Sequence, residues 1–250
     1  MYICTDIMDR EQTQWRLLEF ARDVNADLDR CGFPLCSGKI MASNPALCLT
    51  LEEWEEKFGQ WVRTPDPEAL LNATIFFDFR PLYGQFNLAD RMRLSLLRQT
   101  RSNAIFLRML AANALSVQPP LGKIRDFVTD NDPKHPGTID LKKFGSRLFI
   151  DAARVFAMAN DVSATNTVQR IKLTTPVMNV SADEASSAID AFNFIQLMRL
   201  RHQHSERTQG LEVDNLIRPD ALNEVERRIL KEAFRQARKL QQRLKLDYQL

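Results

Sequence analysis

An aspartate and an arginine two residues apart are the side chains best suited to chemistry in an otherwise apolar stretch, Ala73-Thr-Ile-Phe-Phe-Asp-Phe-Arg80. The run predicts a buried strand, in which residues i and i+2 point to the same face, so Asp78 and Arg80 would project together. A carboxylate among apolar residues is costly unless it is paired or bound to a cation. Two hypotheses follow: a structural Asp78–Arg80 pair at a strand end, or a metal-binding carboxylate in a phosphoryl-transfer site.

Two neighbouring lysines, Lys142 and Lys143, form a second candidate site in the segment Gly137-Thr-Ile-Asp-Leu-Lys-Lys-Phe-Gly145. They follow the end of a predicted strand and come shortly before the predicted helix that contains Asp151. Because ammonium groups beside a turn can contact a phosphate or an acidic protein, this segment is a candidate binding surface. The alternative is an ordinary polar hairpin end.

Histidine and cysteine spacings argue against a metal site. His202 and His204 would point about 200° apart on a regular helix, so they cannot both bind one ion. The cysteines form no C-x-x-C pair, which favours free thiols in a reducing cytoplasm. They are Cys4, Cys31, Cys36 and Cys48.

Composition narrows the class of protein. The 250 residues are 44% hydrophobic and carry a formal net charge of +2, which does not suggest a polyanion-binding protein. The basic C-terminal helix is acidic in its first half, so it matches the helix dipole, and nucleic-acid binding is not expected. Without an apolar run of about 18 residues or a signal-peptide pattern, the chain is predicted to be cytoplasmic and not to bind a membrane.

The periodicity of apolar residues predicts an α+β protein that is mostly α. Residues 1–86 would form a small α/β part, and residues 87–250 a helical bundle with an inserted β-hairpin. The hairpin would pair Ile124–Thr129 with Thr138–Leu141 around the polar loop 130–137. Capping boxes at Thr50 and Ser181 predict two helix starts. No flexible linker separates the two parts, so we expect them to pack as one body.

A series of short motifs follows in order along most of the chain from about residue 20. The first are Cys36-Ser-Gly-Lys-Ile-Met-Ala-Ser-Asn-Pro45, Leu51-Glu-Glu-Trp54 and Phe76-Phe-Asp-Phe-Arg-Pro81, and the later ones are Pro119-Pro-Leu-Gly122, Ile139-Asp-Leu-Lys142, Asp151-Ala-Ala-Arg-Val155, His202-Gln203 and Asp214-Asn215. Together they resemble a bacterial nucleotidyltransferase family and its substrate-binding domain, which often follow cyclic-nucleotide-binding and CBS domains. That family is similar to the protein-PII uridylyltransferases and glutamine synthetase adenylyltransferases of the DNA polymerase beta superfamily.

The resemblance implies transfer of a nucleotidyl group from an NTP to a protein or small-molecule acceptor, with Mg²⁺ as cofactor. Asp78 matches the family's third metal-binding carboxylate and Asp6 its first, so both would be catalytic residues and metal ligands. Arg80, Lys142, Lys143 and Asp151 would contact the substrate or acceptor.

The chain departs from the family pattern in the N-terminal motifs that carry the family's catalytic residues. Met8 stands where the family has its second acid, and the chain has no upstream Gly-Ser motif. The expectation is therefore a nucleotidyltransferase-like chain that is truncated at its N-terminus and catalytically incomplete. The alternative is a non-catalytic helical module for protein interaction or regulation.

Overall fold

The computed structural model describes residues 2–3, 9–122, 126–129 and 133–250, and most of these residues are helical. The helices are α1 Arg10–Arg30, α2 Leu51–Arg63, α3 Pro67–Phe76, α4 Phe86–Arg101, α5 Ala104–Ala114, α6 Arg147–Ala159, α7 Thr167–Thr174, α8 Ala182–Thr208 and α9 Glu224–Tyr248. The strands are β1 Tyr2–Ile3, β2 Leu49–Thr50, β3 Ile139–Asp140 and β4 Leu216–Ile217. The predicted class, mostly α with some β, is confirmed. Within these ranges no helix combines the length and apolar character needed to cross a membrane.

Both predicted capping boxes begin a helix. The Thr50 hydroxyl accepts a hydrogen bond from the backbone N–H of Glu53, whose carboxylate accepts one from the backbone N–H of Thr50, at the start of α2. Ser181 and Glu184 make the same reciprocal pair at the start of α8. Each box satisfies two amide donors that the first helical turn leaves free, which is why these starts can be read from sequence.

The strand predicted over residues 73–80 is wrong, because its first half, residues 73–76, belongs to α3 and the second half is a turn and irregular chain. Asp66 accepts a hydrogen bond from the backbone N–H of Ala69, and Pro67 occupies the first helical position, so the helix begins upstream of the apolar run. The run then continues the helix, with Ala69, Ala73 and Phe77 buried four residues apart. A short apolar run fits a buried strand and a buried helix equally well, and the upstream cap decides between them.

The predicted hairpin is also wrong in its pairing. Strand β3 pairs antiparallel with β4, with Ile139 opposite Ile217, although β4 comes after α8 in the chain. In the described part of the first predicted strand, Phe127 forms a bridge with Leu121. Residues 123–125 and 130–132 lie outside the described residues. A strand of two residues can be paired by any nearby backbone, so its partner is set by the tertiary fold.

Two apolar cores meet at α6. The first is centred on Phe58, Phe77 and Phe106, whose ring centroids lie 5.2 Å (Phe58–Phe77) and 6.1 Å (Phe77–Phe106) apart. The second contains Phe149, Ile195 and Phe234. Helix α6 contributes to both, and the first core includes residues on both sides of position 86. Because α6 is buried along most of its length, polar side chains on it are placed deep in the protein.

Candidate functional site

Asp78 lies in the turn that follows α3, and its carboxylate is held by two arginines from later helices. Arg154 on α6 donates from Nη2 to Oδ2 at 2.7 Å and from Nε to the same oxygen at 3.2 Å. Arg170 on α7 donates from Nη2 to Oδ1 at 2.5 Å. The carboxylate therefore has arginine partners, but the Asp78–Arg80 pair that the strand hypothesis predicted is not formed. Arg80 is exposed and takes part in none of the ion pairs between described residues.

The two arginines are themselves fixed by further contacts. Arg154 Nη1 donates to Asp151 Oδ1 at 2.7 Å, and Arg147 Nε donates to Asp151 Oδ2 at 3.0 Å, so three charged residues of α6 stack at helical spacing. Arg170 Nε donates to the Ala164 carbonyl at 2.7 Å. Its remaining nitrogen, Nη1, is buried and has no hydrogen-bond partner among the described residues.

A third arginine, Arg93 on α4, fixes the turn that carries Asp78. Its two terminal nitrogens donate to the carbonyls of Phe77 and Phe79, on either side of the aspartate. Its guanidinium carbon lies 4.0 Å from the centroid of the Phe79 ring, which adds a cation–π contact. Asp78 and these three arginines (Arg93, Arg154 and Arg170) are called the arginine centre below.

The arginine centre contains more positive than negative charge. All three arginines are buried, whereas the Asp78 side chain is 27% exposed. Burial opposes ionisation of Asp78, but the hydrogen bonds and charges of Arg154 and Arg170 outweigh it and hold its pKa below the ordinary value. Burial and the nearby charge of Arg170 lower the pKa of Arg93 to about 10. The neighbouring residues Asp151 and Arg147 carry one negative and one positive charge, so including them does not change the excess of positive charge.

This environment differs from that of a two-metal carboxylate site. Both oxygens of Asp78 accept hydrogen bonds from guanidinium groups, with which a divalent cation would have to compete. No group of three potential metal ligands within the described ranges includes Asp78. Asp6, the other predicted ligand, lies outside the described residues. The described residues around Asp78 do not make up a site for two Mg²⁺ ions, and the role of Asp78 and Asp6 as metal ligands stays a prediction.

The other predicted site residues occupy two different environments. Lys142 and Lys143 are exposed in a π-helical turn, Lys142–Ser146, where their backbone N–H groups donate to Asp140 Oδ1 at 2.7 and 2.9 Å. Asp151 is buried between Arg147 and Arg154 and joins the arginine centre through Arg154. The structure thus brings Asp78 and Asp151 together, and it leaves the lysine side chains in solvent at the start of α6.

A group of titratable residues that the spacing argument missed lies at the end of α8. His202 Nε2 lies 2.9 Å from Asp214 Oδ1 and 3.2 Å from Glu206 Oε1. The sequence analysis paired His202 with His204, whereas α8, which continues to Thr208, places Glu206 one turn after His202. The four-residue spacing of His202 and Glu206 was the signal that could have revealed this group. His202, Glu206 and Asp214 are called the histidine cluster below.

A cavity of about 130 Å³ that is partly open to solvent lies between α7, α8 and α9. Its walls are mainly apolar and include Phe156 and Met178, with Lys239 and Arg243 as cationic members. None of the residues of the arginine centre lines it.

Comparison with protein families gives two matches along the chain. Residues 104–248 match the family described as "Putative nucleotidyltransferase substrate binding domain", and residues 2–68 match "Putative nucleotidyltransferase DUF294". The first match covers more than half of the chain. This chain belongs to that nucleotidyltransferase family. No curated protein and no solved structure matches it.

The arginine centre of this family member joins the segment between the two matches to the substrate-binding match. Arg154 and Arg170 lie inside the substrate-binding match, whereas Asp78 and Arg93 lie between the two matches. The ion pairs of Asp78 therefore attach the connecting segment to the helices of the substrate-binding domain.

Proposed function

We propose that this chain takes part in nucleotidyl transfer from an NTP to a protein or small-molecule acceptor. In this proposal its substrate-binding domain holds an anionic group of the substrate, either the NTP phosphates or an acidic group of the acceptor, at the arginine centre. The family membership supports the reaction class, and the charge of the arginine centre supports the chemical class of the bound group.

The observation that carries the proposal is the excess of buried guanidinium groups over carboxylates. A buried charge without a counter-charge is costly, and the lowered pKa of Arg93 reflects that cost. An incoming phosphate or carboxylate would offset the excess and accept hydrogen bonds from guanidinium N–H groups, which suit these anions geometrically. Arg170 Nη1, buried without a partner in the described chain, is a donor available for such a contact.

Solvent can reach the arginine centre from the side of Asp78 and α6. The Asp78 side chain is 27% exposed and that of Arg147 is 43% exposed, and Arg80 is exposed. We propose that Arg80 and Arg147 make the first contacts with the anionic group. Lys142 and Lys143, exposed just before α6, would extend the positive surface toward the rest of the acceptor.

The proposal assigns no step to a metal ion. Mg²⁺ would accompany the NTP by family resemblance, with Asp78 and Asp6 as the proposed ligands, but the environment of Asp78 favours anion binding over cation binding. We therefore expect the chain by itself to bind Mg²⁺–NTP weakly and NTP phosphates more readily without the metal.

Calorimetric titration with each of the four NTPs, with and without Mg²⁺, tests the binding part of the proposal. We expect the Arg80→Gln/Arg147→Gln variant to bind the nucleotide at least about tenfold more weakly, because charge-assisted hydrogen bonds are each worth about 1.5–3 kcal/mol. Arg238→Gln, an exposed arginine of α9, is the matched control and should not alter binding. An equal loss of nucleotide affinity in the double variant and in Arg238→Gln, or no binding of any NTP, would contradict the proposed binding of the nucleotide.

Incubation of a complete member of the family, carrying the substitutions at the matching positions, with NTPs labelled on the α-phosphate and a candidate acceptor tests the reaction class. The expected product is an acceptor heavier by one nucleoside monophosphate, with release of pyrophosphate. Reversal of charge at Lys142 and Lys143 to Glu should lower transfer without unfolding the chain, whereas Arg238→Glu/Lys245→Glu on α9 should leave it unchanged. Release of free phosphate with no nucleotide on any acceptor would point to a different reaction.

A further inference from the structure

The histidine cluster has the geometry of a metal-binding site. We propose that His202, Glu206 and Asp214 bind one divalent transition-metal ion of the zinc type. Each residue offers one ligand atom, and the three atoms lie within 4.8 Å of one another. Ligands about 2.1 Å from a tetrahedral ion lie about 3.4 Å apart, so the contacts of His202 with Asp214 and Glu206, now 2.9 and 3.2 Å, would each lengthen by a few tenths of an ångström around the ion.

Local structure explains why these three side chains converge. His202 and Glu206 are four residues apart on α8 and therefore share one face of the helix. The helix ends at Thr208 and is capped by Gln209, and Gly210 then adopts a positive φ of 71°, while the backbone N–H of Leu211 donates to the Glu206 carbonyl. This glycine-dependent turn reverses the chain and brings Asp214 back against the last turns of α8.

The histidine cluster has two carboxylates and one imidazole, and this charge imbalance favours binding of a cation. Two carboxylate oxygens face the same ring nitrogen of His202, whose single N–H can satisfy only one of them well. In the described part of the chain, Glu206 and Asp214 form ion pairs with no lysine or arginine. The side chains of His202 and Glu206 are only 24% and 14% exposed, so water screens this negative charge incompletely. A bound divalent ion would neutralise both carboxylates.

Hydrogen bonds around the cluster hold its ligands in place. The backbone N–H of Asp214 donates to Glu206 Oε2 at 2.9 Å, which leaves Oε1 directed at His202. Gln203 and Arg199, on α8, both donate to Asn215 Oδ1, at 3.1 and 2.9 Å, and so fasten the residue next to Asp214. Such supporting contacts orient metal ligands in advance of binding and raise affinity.

The three ligand atoms of the histidine cluster favour some metal ions over others. One imidazole nitrogen and two carboxylate oxygens suit zinc and its neighbours in the transition series, and a fourth position remains open for water. Mg²⁺ prefers six oxygen ligands in a regular octahedron and loses its own water reluctantly, so it should bind here poorly. Zn²⁺ bound at this site would link the end of α8 to the segment that leads into β4.

Calorimetric titration of the whole untagged chain with Zn²⁺ tests the proposal. Cys31 and Cys36 are changed to Ser in every sample, since both are exposed and thiolates also bind zinc. We expect one Zn²⁺ per chain and far weaker binding of Mg²⁺. Glu206→Gln and His202→Gln should each lower Zn²⁺ affinity at least about tenfold, as even losses among supporting contacts do. His204→Gln, exposed on the same helix, should leave it unchanged.

Cobalt absorption provides a second readout that does not depend on the folding of one variant. Co²⁺ in the site should give visible bands from nitrogen and oxygen ligands, without the near-ultraviolet charge-transfer bands of thiolate ligands. Zn²⁺ should also raise the melting temperature of the parent chain and not that of Glu206→Gln. Failure of Zn²⁺ to bind, binding that survives in both ligand variants, or a thiolate-type cobalt spectrum would each overturn the proposal.

Discussion

The arginine centre and the histidine cluster are built from the same kinds of charged side chain but differ in charge balance and burial. The arginine centre sets three buried guanidinium groups against one carboxylate that solvent can reach. The histidine cluster sets two carboxylates against one imidazole in a half-buried position. The comparison shows that the charged partners of a carboxylate, and not its residue type, determine whether it can also bind a metal cation. Asp78 stabilises cationic side chains, whereas Glu206 and Asp214 have capacity left for a cation.

Removal of one carboxylate from each region should have the largest effect in the arginine centre. Asp78→Asn would leave Arg170 buried without a counter-charge and would leave Arg154 with Asp151 as its one acidic partner, and we expect the unfolding free energy to fall by about 3 kcal/mol, the lower end for a broken buried pair because Asp78 is partly exposed. Asp214→Asn, the matched change in the histidine cluster, should cost less than about 1 kcal/mol. Denaturant unfolding at pH 7 measures both, and equal costs would remove the distinction between the regions.

The pH dependence of the unfolding free energy should show the contribution of ionised Asp78 to the stability of the arginine centre. Because the pKa of Asp78 is lower in the folded chain, its contribution is fully present above its unfolded pKa, about 3.9, and is lost as pH falls through the folded value. The stability advantage of the parent chain over Asp78→Asn should stay constant from pH 7 to about 5 and shrink below about 4. Denaturant unfolding across this range measures it, and an advantage that disappears near pH 6 would contradict the assignment.

Arg93→Lys should have an intermediate effect. Lysine keeps the charge but cannot donate from two directed nitrogens to the carbonyls of Phe77 and Phe79, so stability should fall by about 1–3 kcal/mol. Arg91→Lys on the same helix is the control, since Arg91 is more than half exposed and its ion pairs lie on the surface. If the control costs as much as Arg93→Lys, the turn around Asp78 does not depend on Arg93.

His202→Gln should have the smallest effect in the absence of metal. Glutamine can still donate to one of the two carboxylates, and removal of a half-buried histidine contact should change stability by less than about 1 kcal/mol. Thermal unfolding in the presence of a chelator measures it. A larger loss would indicate that the cluster is a structural hydrogen-bond network, in which case zinc would not be needed to explain it.

Local sequence signals predicted much of the fold. The capping boxes at Thr50 and Ser181 and the apolar stripes of the helices depend on neighbours in the chain, so they could be read directly. The segment before Asp78 was misassigned because an apolar run alone does not distinguish helix from strand, and the Asp66–Pro67 start that decides for a helix lies upstream of the run. The partner of β3 is β4, whose paired residues lie 76 and 78 positions further along the chain, and no local pattern encodes this pairing.

The candidate sites were less predictable than the fold. The sequence identified Asp78 as an acid that needed a cationic partner, but Arg154 and Arg170 lie 76 and 92 residues away, and only tertiary packing brings them to it. The motifs His202-Gln203 and Asp214-Asn215 were noted separately. Their contact depends on how the chain turns after Thr208, which the spacing of the two motifs does not specify.

The central claim, that the arginine centre and not the histidine cluster binds an anionic substrate group, is tested most directly by calorimetric titration with pyrophosphate. The parent chain should bind it, Arg147→Gln should bind it at least about tenfold more weakly, and Glu206→Gln should match the parent within about twofold. Absence of pyrophosphate binding, or the same loss of affinity in Arg147→Gln and Glu206→Gln, would contradict the account.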